Sequence, residues 1–159
     1  MTEAESIQKL ENLIGYQFRD KDVIEKARTR IAFLNDQQKK DEEKSMGPVA
    51  TVGDAVLGCV VACKLYSDEK NRTKQKITEL RSKEVRRERT KDFAEKHHLG
   101  DYVLWGKGEE KLDVKTKGTK AYDAVTEALI GAVFLDAQGR CMNGINEVER
   151  MLDKLNFFE

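Results

Sequence analysis

Two long apolar segments each carry an isolated acid, and that pairing constrains this chain more than any other feature. The first runs Val49-Ala50-Thr51-Val52-Gly53-Asp54-Ala55-Val56-Leu57-Gly58-Cys59-Val60-Val61-Ala62. The second runs Ala121-Tyr122-Asp123-Ala124-Val125-Thr126-Glu127-Ala128-Leu129-Ile130-Gly131-Ala132-Val133-Phe134-Leu135. Apolar residues fall on every face of both, the pattern of a helix inside a core. An ionised carboxylate in such a place needs a partner, a proton or a metal ion. The other acids stand among lysines and arginines, where solvent accounts for them. Asp54 and Glu127, with Asp123, are the ones that require a reason.

The 159 residues fit one domain, residues 1–159, large enough to bury a core. A zero net charge hides a patterned distribution, because Lys70, Arg72, Lys74, Lys76, Arg81, Lys83, Arg86, Arg87, Arg89, Lys91 and Lys96 outnumber the acids among them. A basic face is therefore available without a basic protein. The amino-terminal residues are polar and acidic, so no secretory leader is expected. The run from Val49 to Cys63, broken by Asp54, reads as too short for a bilayer, and no membrane partner is expected. Cys59 and Cys63 read as small buried thiols in a reducing cytoplasm. A zinc site would want further soft ligands, and the only histidines are the neighbours His97 and His98.

Proline occurs once, at Pro48, and β-branched alternation is scarce, so the expected fold class is all-α. Ile7, Leu10, Leu13 and Ile14 share one face of a helix ended near Gly15. Asp20 or Asp22 caps a second, with Val23, Ile24, Ala27 and Ile31 inward. Residues 35–45 read as a loop or a frayed end. Pro48 suits the first turn of the long apolar helix, which runs to about Tyr66. Thr73 caps a helix through Ile77 and Leu80. Another spans Arg87 to His98 and stops at Leu99-Gly100. The second apolar helix follows a polar stretch, and a last helix carries Ile145, Val148, Met151, Leu152 and Leu155.

If the two apolar helices cross, Asp54 and Glu127 converge. Carboxylates suit a hard divalent cation, and magnesium often takes only one or two of them, with waters and substrate phosphates completing its shell. Such an ion polarises a phosphodiester, and the basic segment supplies phosphate contacts. Core acids paired with Lys64, Arg81 or Lys120 are the alternative.

Several motifs then carry a resemblance. Gly53 to Ala62 followed by Leu65-Tyr66 resembles the signature helix of the ribonuclease III catalytic domain. So do Ile77-Thr78-Glu79-Leu80-Arg81-Ser82, Leu99-Gly100-Asp101-Tyr102 and Gly106-Lys107-Gly108-Glu109-Glu110-Lys111. Glu127-Ala128-Leu129-Ile130-Gly131-Ala132-Val133-Phe134-Leu135-Asp136 resembles the second acidic motif, and Ala27 to Phe33 is a weaker echo of the segment before the signature. The resemblance spans about residues 10–155. It implies the helical ribonuclease III endonuclease fold and magnesium-dependent cleavage of double-stranded RNA, with manganese as a possible substitute. It also implies 5′-phosphate products, a homodimer, and essential acids at Asp54 and Glu127.

Departures come with it. The signature's two opening glutamates fall on Gly47 and Ala50, the aspartate before the second glutamate falls on Ala124, and the dimer-anchoring aromatic falls on Thr51. Asp123 lies roughly 40° from Glu127 around a helix, so it either joins the same metal or pairs locally. The chain resembles Mini-ribonuclease III, a reduced branch of the family that keeps the central aspartate and glutamate, and no double-stranded-RNA-binding domain is expected. Arg86, Arg87, Lys107 and Lys111 are the candidate RNA contacts; a solvated face is the alternative for the basic segment. Three functions are open: a metal-dependent endoribonuclease, a fold that binds structured RNA without cutting it, and a helical interaction protein.

Overall fold

The structure, a computed structural model, describes residues 1–111 and 121–158; of Glu110 and Lys111 only the backbone is described. Among these residues there are nine α-helices and no strand, only an isolated parallel bridge between Thr29 and Leu104. Helix α1 (Glu3–Ile14) opens with a capping box between Thr2 and Glu5 and ends on Gly15 at φ 72°. Asp20 caps α2 (Lys21–Ala27).

The chain then breaks where one continuous helix was expected. The Leu104 N–H donates to the Arg28 carbonyl at 2.7 Å, and the Arg30 N–H donates to the Leu104 carbonyl at 3.2 Å. Those bonds take main-chain groups that a helix would have used internally. Helix α3 (Ile31–Asp36) starts afresh, and Ile31 is left 37% exposed instead of facing inward. A 3₁₀ turn at Glu42–Lys44 leads into α4 (Met46–Ser67), with Pro48 in its first turn.

Helix α5 (Lys74–Glu84), capped by Thr73, lies on the surface with Ile77 and Leu80 only half-buried. Helix α6 (Arg87–Lys96) stops earlier than expected, because His98 adopts φ 53°, and Leu99 and Gly100 belong to a following 3₁₀ turn. The Trp105 indole N–H donates to the Gly100 carbonyl at 2.8 Å, placing that aromatic in the core. After α7 (Lys107–Lys111) come α8 (Ala121–Gly139) and α9 (Gly144–Lys154), the latter capped by Asn143.

Helix α8 is the axis, packed by α2, α4, α6 and α9. Ala128, Ile130, Ala132 and Val133 on successive faces are fully buried, as apolar residues all round predict. Helix α4 differs. Val49, Ala50, Gly53, Val56, Leu57, Val60 and Val61 are buried, but Thr51, Asp54, Ala55, Cys59, Cys63 and Tyr66 are exposed. The expected buried thiols therefore lie on the surface. The helix also extends past the run read from sequence. At 22 residues α4 is, among the described residues, the one helix long and apolar enough to cross a membrane by length and composition, although one face is packed as core.

Asp136, 3% exposed, fastens the amino-terminal turn to α8. It accepts from the Tyr16 hydroxyl at 2.6 Å and from the Asp20 and Arg19 N–H groups at 2.7 and 3.2 Å. Arg140 stands 3.5 Å away.

Candidate active site

Where α4 crosses α8 there is no room for a side chain on either helix. A Cβ on Gly53 would stand 1.7 Å from the Glu127 carbonyl oxygen, and one on Gly131 would stand 2.1 Å from that of Val49. The neighbours are backbone atoms, which cannot rotate aside. Two glycines thus bring the acid-bearing helices into main-chain contact. Asp54, next to Gly53, and Glu127, whose carbonyl meets Gly53, line the same cleft of about 370 Å³ with Ala50, Thr51, Val85, Arg87 and Asp123.

The convergence expected from sequence is present, but the burial is unequal. Asp54 is exposed rather than enclosed in the core. Glu127 is half-buried, and its carboxyl is pushed up from an ordinary 4.5 to about 7. Burial is the largest cause, the charges of Asp54 and Asp123 add to it, and Arg87 opposes. Asp123 is 8% exposed. Its Oδ2 forms an ion pair with Arg87 Nε at 2.8 Å, while its Oδ1 is buried with no hydrogen-bond partner among the described residues.

The register of α6 on α8 produces that pair. The Thr126 hydroxyl donates to the Thr90 carbonyl at 2.6 Å, and the Thr90 hydroxyl donates to the Arg87 carbonyl at 3.0 Å. Both threonines are fully buried. Arg87 and Asp123 each lie three residues earlier, one helical turn back along the same contact. Among the described residues the partner of a core acid is therefore Arg87, not the expected Lys64 or Arg81. Lys64 pairs with Asp153 at 2.9 Å, away from the cleft. Lys120 lies outside the described residues.

Asp54, Glu127 and Asp123 share one cleft, yet among the described residues no three Asp, Glu, His or Cys side chains are gathered closely enough to chelate an ion. The donors still fit a hard cation. All are carboxylate oxygens, one is buried without a partner among the described residues, and the charges of Asp54 and Asp123 raise the proton affinity of Glu127, which a divalent ion relieves. Ala50 lines the cleft with a methyl group where the signature would place a glutamate. Thr51 is exposed, its hydroxyl donating to the Gly47 carbonyl at 3.1 Å.

Of the expected RNA contacts, Arg87 is in the cleft. Arg86 is exposed beside it, its Nε donating to the Lys83 carbonyl at 3.2 Å. Lys107 is exposed at the start of α7, its backbone N–H donating to Asp36 at 2.7 Å. The Lys111 side chain lies outside the described residues. The Arg87–Asp123 pair was missed from sequence; Thr90 and Thr126, polar residues on inward helix faces, were its signal.

The class that this fold and site define is an all-helical domain with an acidic cleft at the glycine-mediated crossing of its two main core helices. A profile described as the Ribonuclease III domain matches residues 48–138, more than half of the chain, and the chain belongs to that family. It is 31% identical over 153 residues to Ribonuclease 3 of Listeria monocytogenes, covering 94% of this chain and 62% of that protein. To Ribonuclease 3 of Syntrophobacter fumaroxidans it is 28% identical over 159 residues, all of this chain and 64% of that protein. It thus spans a little under two thirds of the length of these curated relatives. The crystal structure of the nuclease domain of ribonuclease III from Campylobacter jejuni superposes with TM-score 0.76 at 27% identity, covering 100% of this chain and 99% of that one.

Proposed function

We propose that this chain is a metal-dependent endoribonuclease that hydrolyses phosphodiester bonds of double-stranded or structured RNA and leaves 5′-phosphates. The observation that carries the reading is the meeting of Asp54 and Glu127 in one cleft at the Gly53–Gly131 crossing. Asp54 and Glu127 would hold the cation, and the unpartnered oxygen of Asp123 is available to join them. Magnesium or manganese, when bound, supplies Lewis acidity toward the phosphodiester.

The chain's own residues do the rest. Val85, Ala50 and Thr51 line the cleft beside the acids. Glu127, with a pKa near neutrality, exchanges a proton for a cation at little cost. Arg86 and Lys107 are exposed cations suited to phosphate contact. Lys111 belongs to the same basic motif.

A homodimer completes the proposal. The exposed stripe of α4, from Thr51 through Ala55, Cys59 and Cys63 to Tyr66, is mostly small and apolar, the kind of surface a second copy covers. A crystal structure of the Campylobacter jejuni nuclease domain describes flexibility in a region involved in dimer formation, which supports this assembly. Two copies give two clefts for one duplex. The cysteines are free thiols, consistent with a reducing cytoplasm.

The alternative, a domain that holds structured RNA without cutting it, draws on Gly47, Ala50 and Ala124. Glu127→Gln separates the two. The variant is expected to keep its helical circular dichroism and lose magnesium-dependent cleavage of duplex RNA. Cutting at the wild-type rate would overturn the assignment of the site.

A further inference from the structure

Resting on that reading, we infer that Arg87 holds a phosphate of the bound RNA strand, and that Asp123 positions it by fixing one side of its guanidinium. The Nε of Arg87 meets Asp123 Oδ2 at 2.8 Å, and the arginine side chain is 63% exposed against 11% for the aspartate. The contact is an ion pair and, among the described residues, the two terminal nitrogens have no partner, so the paired N–H fork remains available at the cleft. That fork matches two oxygens of a phosphate in one plane, a geometry that lysine does not offer.

Stability is a weak reason for this pair. An arginine as exposed as this one gains little from an ion pair. Substrate chemistry is a stronger reason. A strand entering the cleft brings negative charge toward Asp54 and Glu127, and a fixed cation must offset that repulsion. Among the described residues Arg87 is the one cation lining the cleft. Its backbone is set by the Thr90 hydroxyl donating to the Arg87 carbonyl and the Thr126 hydroxyl donating to the Thr90 carbonyl, so the arginine and its anchor stand on two packed helices rather than on a loop. Asp123 thus acts through Arg87, whatever its free oxygen also does.

Binding of a short duplex RNA in chelator, titrated with salt, tests this without any need for cleavage. Arg87→Ala is expected to weaken binding at low salt by about tenfold and to lower the salt slope by about one, the signature of one lost phosphate contact. Arg87→Lys should restore the slope but not the full affinity. Asp123→Ala removes a negative charge, so simple electrostatics predicts tighter binding. The positioning role predicts binding about threefold weaker, and predicts that this loss vanishes in the Arg87→Ala background.

An unchanged slope in Arg87→Ala would overturn the phosphate contact. Asp123→Ala binding as tightly as wild type or tighter, with Arg87 present, would overturn the positioning role. A wild-type protein that neither holds nor cuts duplex RNA would refute the proposed function itself, and this inference with it.

Discussion

Gly53 on α4 lies directly against the main-chain carbonyl of Glu127 on α8, with 1.7 Å between that oxygen and the place a side-chain carbon would take. This contact sets the separation of the two acid-bearing helices, and with it the cleft. Since the obstacle is backbone, Gly53→Ala forces the helices apart. The expected loss is about 3 kcal/mol or more, at the upper end of overpacking costs. Urea denaturation of Gly53→Ala checks this; a midpoint equal to wild type would mean the crossing is not the close contact described.

Glu127 should make stability depend on pH. Its folded pKa, about 7, lies above the ordinary 4.5, so the folded state keeps a proton that the unfolded chain releases. Stability therefore falls as pH rises from about 4.5 to about 7 and levels off beyond. Glu127→Gln carries no such penalty. In chelator its melting temperature should exceed wild type at pH 8 and match it at pH 4. Adding magnesium at pH 8 should raise the wild-type value and leave the variant unmoved. Equal melting curves for both proteins at pH 8 would show that Glu127 carries no such strain.

These acids show how far the sequence could be read. Their meeting was legible because each interrupts an apolar helix, and such helices pack together. Their individual environments were not. Hydrophobic periodicity treats α4 and α8 alike, yet α8 is surrounded by helices while α4 has an uncovered side, which leaves Asp54, Cys59 and Cys63 exposed. Ile31 was misplaced for a different reason. The bridge from Thr29 to Leu104 joins residues far apart in the chain and cuts a helix that local pattern would continue. Arg87 was one of four candidate RNA contacts in the sequence, but its pairing with Asp123 was not legible, because only the tertiary register of Thr90 on Thr126 sets it.

The open stripe of α4 leads to a prediction about thiols. If a second copy covers it, Cys59 and Cys63 become slow to react with a maleimide as protein concentration rises. Cys141, exposed outside α4, should react at the same rate throughout. Mass spectrometry after timed labelling reads all three. Reaction rates for Cys59 and Cys63 that do not change with concentration, together with a monomer mass in solution scattering, would rule the dimer out.

Asp136 should be structural and separable from the site. Burial alone would raise its carboxyl, but hydrogen bonds from Tyr16, from the Asp20 and Arg19 N–H groups and from Arg140 outweigh it and hold it below the usual range. Its contribution is present above the unfolded pKa and is lost as pH falls through the lower folded value. Asp136→Ala strands those donors and is expected to cost about 3 kcal/mol at neutral pH. RNA affinity in chelator, measured well below the melting temperature, should not change. A loss of affinity without a loss of stability would reverse this assignment.

We propose that two acids on crossing helices suffice for metal-dependent cutting of duplex RNA, although Gly47, Ala50 and Ala124 stand where the resembled motifs carry three more. The most direct measurement is cleavage of a long double-stranded RNA at low salt by wild type and Asp54→Asn, each with magnesium, with manganese and with chelator. Cutting is expected from wild type with either metal, none in chelator, and none from Asp54→Asn. Intact RNA that stays bound to the wild-type protein under all three conditions would contradict it.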